Sequence, residues 1–231
     1  MKYALKSGLV LLGALSGLYG CGTAELASDG SVSLFDGQTL DGWRVSEENP
    51  GSFTVQDGQI VAHGPRAHLF YDGPAGTDFT DFELSLETKT EPNANSGVFF
   101  HTQYQAESWP IHGLEAQINA TQSDARKTGS LYAVADVCVI PDGETEASMG
   151  LESCLLRQTP PHLDGQWTPY VIRVKDGTVT TRIGEQELAK WTQPDDWDDP
   201  TRRLDAGTFA LQAHDPDSIV YFRNMRVTRL D

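Results

Sequence analysis

The sequence predicts an all-β fold, a sandwich or barrel of short antiparallel strands. Three observations carry this. Short runs alternate apolar and polar residues with period two, which marks half-buried strands. Gly, Asp, Asn and Pro separate those runs at short intervals. No stretch holds a helical period over several turns. A chain of 231 residues suits one such domain and can bury a substantial core.

Before the strands comes a segment built for export. Lys2 and Lys6 form a positive start, and an uncharged apolar run from Ser7 to Tyr19 follows. That run is too short to span a bilayer as a helix and reads as a signal peptide over residues 1–20. It ends at Leu18-Tyr19-Gly20-Cys21, which resembles the bacterial lipobox, so Cys21 is the expected lipidation site. Residues 21–32 then form the lipidated Cys and a small, polar tether, and residues 33–231 form the folded domain. Gly22 follows the Cys in place of the Asp that marks inner-membrane retention, so the expected location is the outer membrane, with contact through the lipid anchor only.

The formal net charge is −16, and removal of Lys2 and Lys6 makes it more negative. Nucleic acid is excluded as a partner class, because neutralising phosphates requires clustered Lys and Arg. Two further cysteines, Cys138 and Cys154, bracket a Gly-, Pro- and Glu-rich stretch. In an exported chain this even pair predicts a disulfide that restrains a loop; no zinc-like spacing surrounds it.

The strands follow in order. Ser52–Val55 and Gln59–Ala62 flank Asp57-Gly58, a strong hairpin signal. Phe82–Thr88 alternates strictly, so one face is buried. A turn at Pro92–Asn95 precedes Gly97–His101, and Leu114–Ile118 alternates again. Tyr170–Val174 and Thr178–Ile183 flank Lys175-Asp176-Gly177, a second hairpin. Phe209–His214, a turn at Asp215-Pro216-Asp217, Ile219–Phe222 and Met225–Leu230 complete the set. Ala133–Asp164 and Thr192–Asp205 read as irregular. The acids of the second stretch read as a solvated loop, since their spacing matches no EF-hand.

Period-two geometry also sorts candidate site residues. Glu115 and Gln117 share one face, opposite Leu114, Ala116 and Ile118. Gln212 and His214 share a face opposite Leu211 and Ala213, and His101 shares one with Phe99. Arg223 and Asn224 point to opposite sides unless a bulge intervenes. A solvated polar face is the ordinary explanation of each strand alone; convergence of two His, a Glu and two Gln would be a site. The chain lacks G-x-S-x-G, a Gly-rich phosphate loop and H-E-x-x-H.

Several blocks taken together resemble one family. They are Leu34-Phe35-Asp36-Gly37, Leu40-Asp41-Gly42-Trp43, Phe53–Gly58, Asp81–Leu84, Asn95–Phe100, Gly113–Gln117, Thr128–Tyr132, Gly165-Gln166-Trp167, Leu211–His214 and Val220–Asn224. Their order and content resemble the 3-keto-disaccharide hydrolase domain family over Ser33 to Leu230. The resemblance implies a concanavalin A-like fold, an antiparallel jelly-roll β-sandwich with one concave sheet. It departs at His101, where the family often has Arg, and at Thr168, where Asn is usual; the Cys138–Cys154 loop reads as an insertion.

The resemblance also implies a chemistry. A ketone at C3 of a sugar acidifies the C2 proton; its removal gives an enolate that expels the C1 substituent by β-elimination, and water can then add. The reaction needs a base with a matched pKa and donors on the enolate oxygen. On this reading Glu115, His101 or His214 is the base. Gln117, Gln212, Asn95 and Arg223 donate to substrate, and Trp109 and Tyr132 are candidates to stack against a sugar ring, with core packing an equal alternative for Tyr132. His101, Glu115 and His214 are ligand types that would permit a divalent metal in place of those donors. The two-carboxylate glycosidase pattern fits less well, because the second position is Gln117. The partner expected is a carbohydrate, with an upstream sugar oxidoreductase supplying the keto form. The alternative is a non-catalytic carbohydrate-binding surface lipoprotein that uses the same face.

Overall fold

A computed structural model describes residues 27–152 and 154–230. The signal segment and Cys21 lie outside the described residues. Those that are described form two antiparallel sheets and one small parallel pair. The larger sheet runs β13 (Gln186–Thr192), β12 (Thr178–Ile183), β11 (Thr168–Lys175), β6 (Phe82–Thr90), β15 (Ile219–Arg229), β4 (Gln59–His63) and β3 (Phe53–Gln56). Strand β1 (Val32–Ser33) also pairs with β15. The smaller sheet runs β2 (Trp43–Val45), β5 (Ala67–Tyr71), β14 (Thr208–Ala213), β7 (Asn95–Thr102) and β8 (Leu114–Asn119).

The alternation read from sequence sets which face of each strand is buried. In β6, Phe82, Leu84 and Leu86 are buried while Glu83, Ser85 and Glu87 are half-exposed. In β8 the core face is Leu114, Ala116 and Ile118, and in β14 it is Phe209, Leu211 and Ala213. The two sheets meet through these side chains, with Phe82 of one 4.9 Å from Phe209 and 5.9 Å from Phe100 of the other, ring centre to ring centre. Such burial removes apolar surface from water at roughly 25 cal/mol per Å², which makes this layer the main source of stability. The result is the predicted all-β sandwich.

Both predicted hairpins form. Asp57 and Gly58 adopt φ of 50° and 77°, and Asp176 and Gly177 adopt 50° and 71°. Positive φ at both central positions makes tight turns whose twist matches the flanking strands. The pairs Gln56–Gln59 and Lys175–Thr178 close the two turns.

Three features depart from the sequence expectation. Strand β5 carries no period-two signal, because Ala67–Tyr71 is buried on both faces and so does not alternate. Strand β13 and the parallel pair β9 (Asp136–Cys138) and β10 (Cys154–Leu156) occupy stretches without a strand signal. Strand β15 carries a bulge between Arg223 and Arg226, with Asn224 at φ 52°. The bulge resets the parity, so that Phe222, Met225 and Val227 are all buried.

The predicted disulfide joins Cys138 to Cys154, with Cα atoms 5.6 Å apart. It ties β9 to β10 and closes the intervening loop, and Cys138 is fully buried beside Ala125 and Leu151. Replacing both cysteines with Ala should lower unfolding free energy by about 3 kcal/mol, the chain-entropy value for a loop of this length. Urea unfolding of the oxidised protein and the double variant measures this; an unchanged midpoint would show that the bridge does not restrain the unfolded chain.

Candidate active site

The core commits one face of the smaller sheet, and the other face carries the polar residues. A cavity of about 550 Å³ opens on that face. Asn95 and Phe99 of β7, Glu115 and Gln117 of β8, and Gln212 of β14 line it. His214, just past β14, also lines it, as do Trp109 and Tyr132 from loops. Asp124, Thr201 and Arg202 complete much of the wall.

Glu115 lies at the centre of this arrangement. Its carboxyl extends across the sheet over Gly97, where a Cβ would lie within 2.8 Å of the Glu115 Cγ and against the carboxyl itself. Glycine is therefore required at 97 for the carboxyl to lie flat. Oε1 accepts from Gln212 Nε2 at 3.1 Å. The Gln117 amide satisfies its surroundings best when its nitrogen faces Ser96 O at 3.0 Å and Glu115 Oε1 at 3.3 Å. Desolvation pushes the Glu115 carboxyl up to about 8, helped by Asp124 and opposed by the Gln212 hydrogen bond and by Arg202. At neutral pH this acid holds its proton.

His214 is prepared differently. Its Nδ1 lies 2.6 Å from Asp215 Oδ2. Asp215 also accepts from Ser218 Oγ at 2.9 Å, from the Ser218 N–H at 3.0 Å and from the Asp217 N–H at 2.9 Å. Burial raises the Asp215 carboxyl, but these donors together with His214 outweigh it and leave it below its ordinary value. An ionised carboxylate can only accept, so Nδ1 carries the hydrogen, and Nε2 is left without a hydrogen-bond partner among the described residues. The turn Asp215–Ser218, predicted only as a strand connection, thus orients an imidazole. Ser218 Oγ also accepts from the Asn95 N–H at 2.9 Å, which ties the same turn to β7.

Two expected site residues fall elsewhere. Alternation places His101 on the face of Phe99, but in the structure it is the extra residue where the β7–β14 register shifts, at φ 54°. Its buried ring donates from Nε2 to Thr80 O at 2.8 Å and accepts the Asp205 N–H at Nδ1 at 3.1 Å. It packs on Phe82 and Phe100, and burial lowers its pKa. Arg223, the expected donor to sugar, lies on the larger sheet instead. There Nε meets Glu87 at 3.0 Å and the guanidinium lies 3.9 Å over the Trp167 ring. With His101 removed, the set His101, Glu115 and His214 is not assembled. Among the described residues no three His, Cys, Asp or Glu side chains converge to hold a metal ion, so the donor set does not fit one.

Sequence reading missed His68 on β5 and three cavity residues, Asp124, Thr201 and Arg202. His68 pairs directly with Gln212 and so shares its face. Asp124 is positioned by the buried Lys127, whose ammonium donates to the carbonyls of Gln122 at 2.7 Å and Asp124 at 2.6 Å. Arg202 comes from the stretch read as a solvated loop, which Asp199 folds by accepting the N–H groups of Thr201 and Arg202.

The chain matches the model of the 3-keto-alpha-glucoside-1,2-lyase-like domain over residues 30–228. It belongs to that family. A 3-keto-disaccharide hydrolase of Bacteroides thetaiotaomicron is 26% identical over 88% of this chain and 80% of its own length. Among solved structures, a protein assigned as a glycosyl hydrolase from Parabacteroides distasonis superimposes with a TM-score of 0.62. It is 21% identical and covers 88% of this chain and 95% of that one. The exoplasmic/lumenal domain of VIP36 bound to Ca2+ and Man3GlcNAc gives a TM-score of 0.54 at 13% identity, over 89% and 90% of the two chains. These likenesses establish the lectin-like sandwich fold.

The half-buried Glu115 carries a pH signature of its own. Its folded pKa lies above its ordinary value, so its contribution to stability is complete below about 4.5 and is lost as pH rises through about 8. Glu115→Gln removes that loss. The variant should match the wild type near pH 5 and melt at progressively higher temperature than it between pH 6 and 9. Parallel melting curves at all pH values would refute the raised pKa.

Proposed function

We propose that the domain cleaves 3-keto-glycosides by β-elimination in the cavity on the smaller sheet. The observation that carries this is the pairing, in one cavity, of the Glu115 carboxyl, held over Gly97 by the Gln212 amide, with an imidazole whose Nδ1 is held by Asp215. His214 Nε2 takes the C2 proton, and the electron pair moves toward the C3 carbonyl to form the enolate. The amides of Asn95 and Gln212 and the Arg202 guanidinium supply donors for that oxygen. The C1–O bond then breaks, and Glu115 gives its proton to the departing oxygen. The products are an alcohol or free sugar and a 2-hydroxy-3-keto-glycal; addition of water across the new double bond completes a net hydrolysis. Opposed acid and base roles for two groups in distinct surroundings are the expected design for such chemistry at neutral pH.

The ketone must be made first, so an oxidoreductase acting at C3 of a glycoside would supply the substrate. Export and lipidation at Cys21 would place the domain outside the cytoplasm. Incorporation of labelled palmitate into the wild type, and none into Cys21→Ser, is the expected result; equal labelling would exclude an anchor at Cys21.

Turnover is tested with residues 22–231 and 3-keto-trehalose or a methyl 3-keto-glucoside. Release of sugar or methanol is expected, with kcat reduced about 10²–10⁴-fold in Glu115→Gln and in His214→Asn, the usual contribution of a general acid or base. Since Glu115 must be protonated, kcat/KM should fall as pH rises through about 8. An activity that instead climbs through that pH would make Glu115 the base. Binding of glycosides without any release would leave a carbohydrate-binding protein.

A further inference from the structure

His68 lies on the polar face of the smaller sheet and has no exposed surface. Neither ring nitrogen has a hydrogen-bond partner among the described residues. Its directly opposed neighbour Gln212 is in a similar state, because Nε2 donates to Glu115 while the buried Oε1 is unpartnered among the described residues. A buried polar group without a partner costs on the order of 1–3 kcal/mol, so two adjacent ones call for a reason.

The surroundings of His68 supply it. The ring is edge-on to Phe99 at 5.4 Å and to Trp109 at 5.6 Å, and both of those side chains line the cavity. Trp109 is also packed against His214 at 5.4 Å, yet it is 39% exposed. With Phe99, it is one of the two cavity-lining side chains that pack on His68. Arg66, paired with Glu48 at 2.8 Å, lies 5.1 Å over the Trp109 ring.

We propose that His68 and Gln212 Oε1 form a covered subsite for a sugar hydroxyl, opened when Trp109 swings aside. This deepens the reading of the cavity as a glycoside site and rests on it. Burial lowers the His68 pKa to about 4, so the ring is neutral and offers one donor and one acceptor. A hydroxyl also donates once and accepts. One hydroxyl can therefore accept from the imidazole N–H and donate to the Gln212 oxygen, while the displaced indole packs on the sugar's C–H face. A site of this kind rejects a ligand that lacks the hydroxyl, because its own buried groups are then left unpaired.

The test uses residues 22–231 with methyl α-glucoside, its 3-keto form and the corresponding 2-, 4- and 6-deoxy glucosides. Calorimetry gives Kd, and tryptophan fluorescence follows Trp109. His68→Phe keeps the aromatic packing and should melt no lower than the wild type. It should bind the glucoside about tenfold more weakly, the equivalent of one lost hydrogen bond. The wild type should discriminate against at least one deoxy sugar, and His68→Phe should not; His68→Gln, which keeps a donor and an acceptor, should regain part of the preference. Saturation should change the fluorescence of the wild type and not of Trp109→Phe. Unaltered affinity and deoxy preference in His68→Phe would overturn the subsite, as would a wild type that binds without disturbing Trp109. Binding without turnover removes only the proposed reaction and leaves the subsite tested. A wild type that binds none of these sugars overturns both.

Discussion

The apolar layer between the two sheets is the constraint on which every other feature depends. Phe82, Phe100, Phe209 and their neighbours fill the space between the sheets and take one face of each strand in the smaller one. Since side chains alternate, the opposite face is released from packing duty and can hold groups that a core would reject. Glu115, Gln117 and Gln212 stand there because Leu114, Ala116, Ile118, Leu211 and Ala213 stand on the other side. The polar face is still not an ordinary wet surface. Phe70, Phe99 and Ala210 form a second apolar cluster on it, and Gln117, Gln212 and Asn95 are almost wholly buried. The cavity is thus polar in chemistry and dry in dielectric, the setting in which a carboxyl keeps its proton.

Local backbone devices then aim the individual groups. Gly97 leaves the space into which the Glu115 carboxyl folds. Tyr170 of the larger sheet reaches through the core to donate from its hydroxyl to Gln117 O at 3.3 Å, so the strand bearing Glu115 is pinned from behind. Ser96 Oγ donates to Gln212 O at 2.6 Å and fixes β14 against β7. The Asp215–Ser218 turn supplies a carboxylate where the imidazole of His214 needs one. Each contact is ordinary; together they hold an acid and a base in one cavity, with rotamers set by neighbours that do not touch substrate.

Strand irregularity and sheet membership account for the groups that left the site. His101 sits at a bulge in β7, and Arg223 belongs to β15 of the larger sheet, just before that strand's bulge. A bulge adds a residue and shifts the parity of the positions beyond it, so a face assignment counted along the strand fails at that point. His101 became a buried clamp between Thr80 and Asp205. Arg223 became a surface partner of Glu87 and Trp167.

Sequence alone determined the all-β class, the two Asp-Gly hairpins and the Cys138–Cys154 pairing, because each depends on residues close together in the chain or on a local period. It also placed Glu115, Gln117, Gln212 and His214 on the non-core faces of their strands, since alternation is a local property. Only the tertiary structure decided that those faces meet at one cavity, because strand order brings β5, β14, β7 and β8 side by side and no local pattern encodes that order. It alone brought in His68, whose strand is buried on both sides and shows no alternation. Asp124 and Arg202, too, arrive on loops whose paths depend on distant contacts. The proton on Glu115 is likewise a tertiary property, for burial is a sum over neighbours that the chain assembles only on folding.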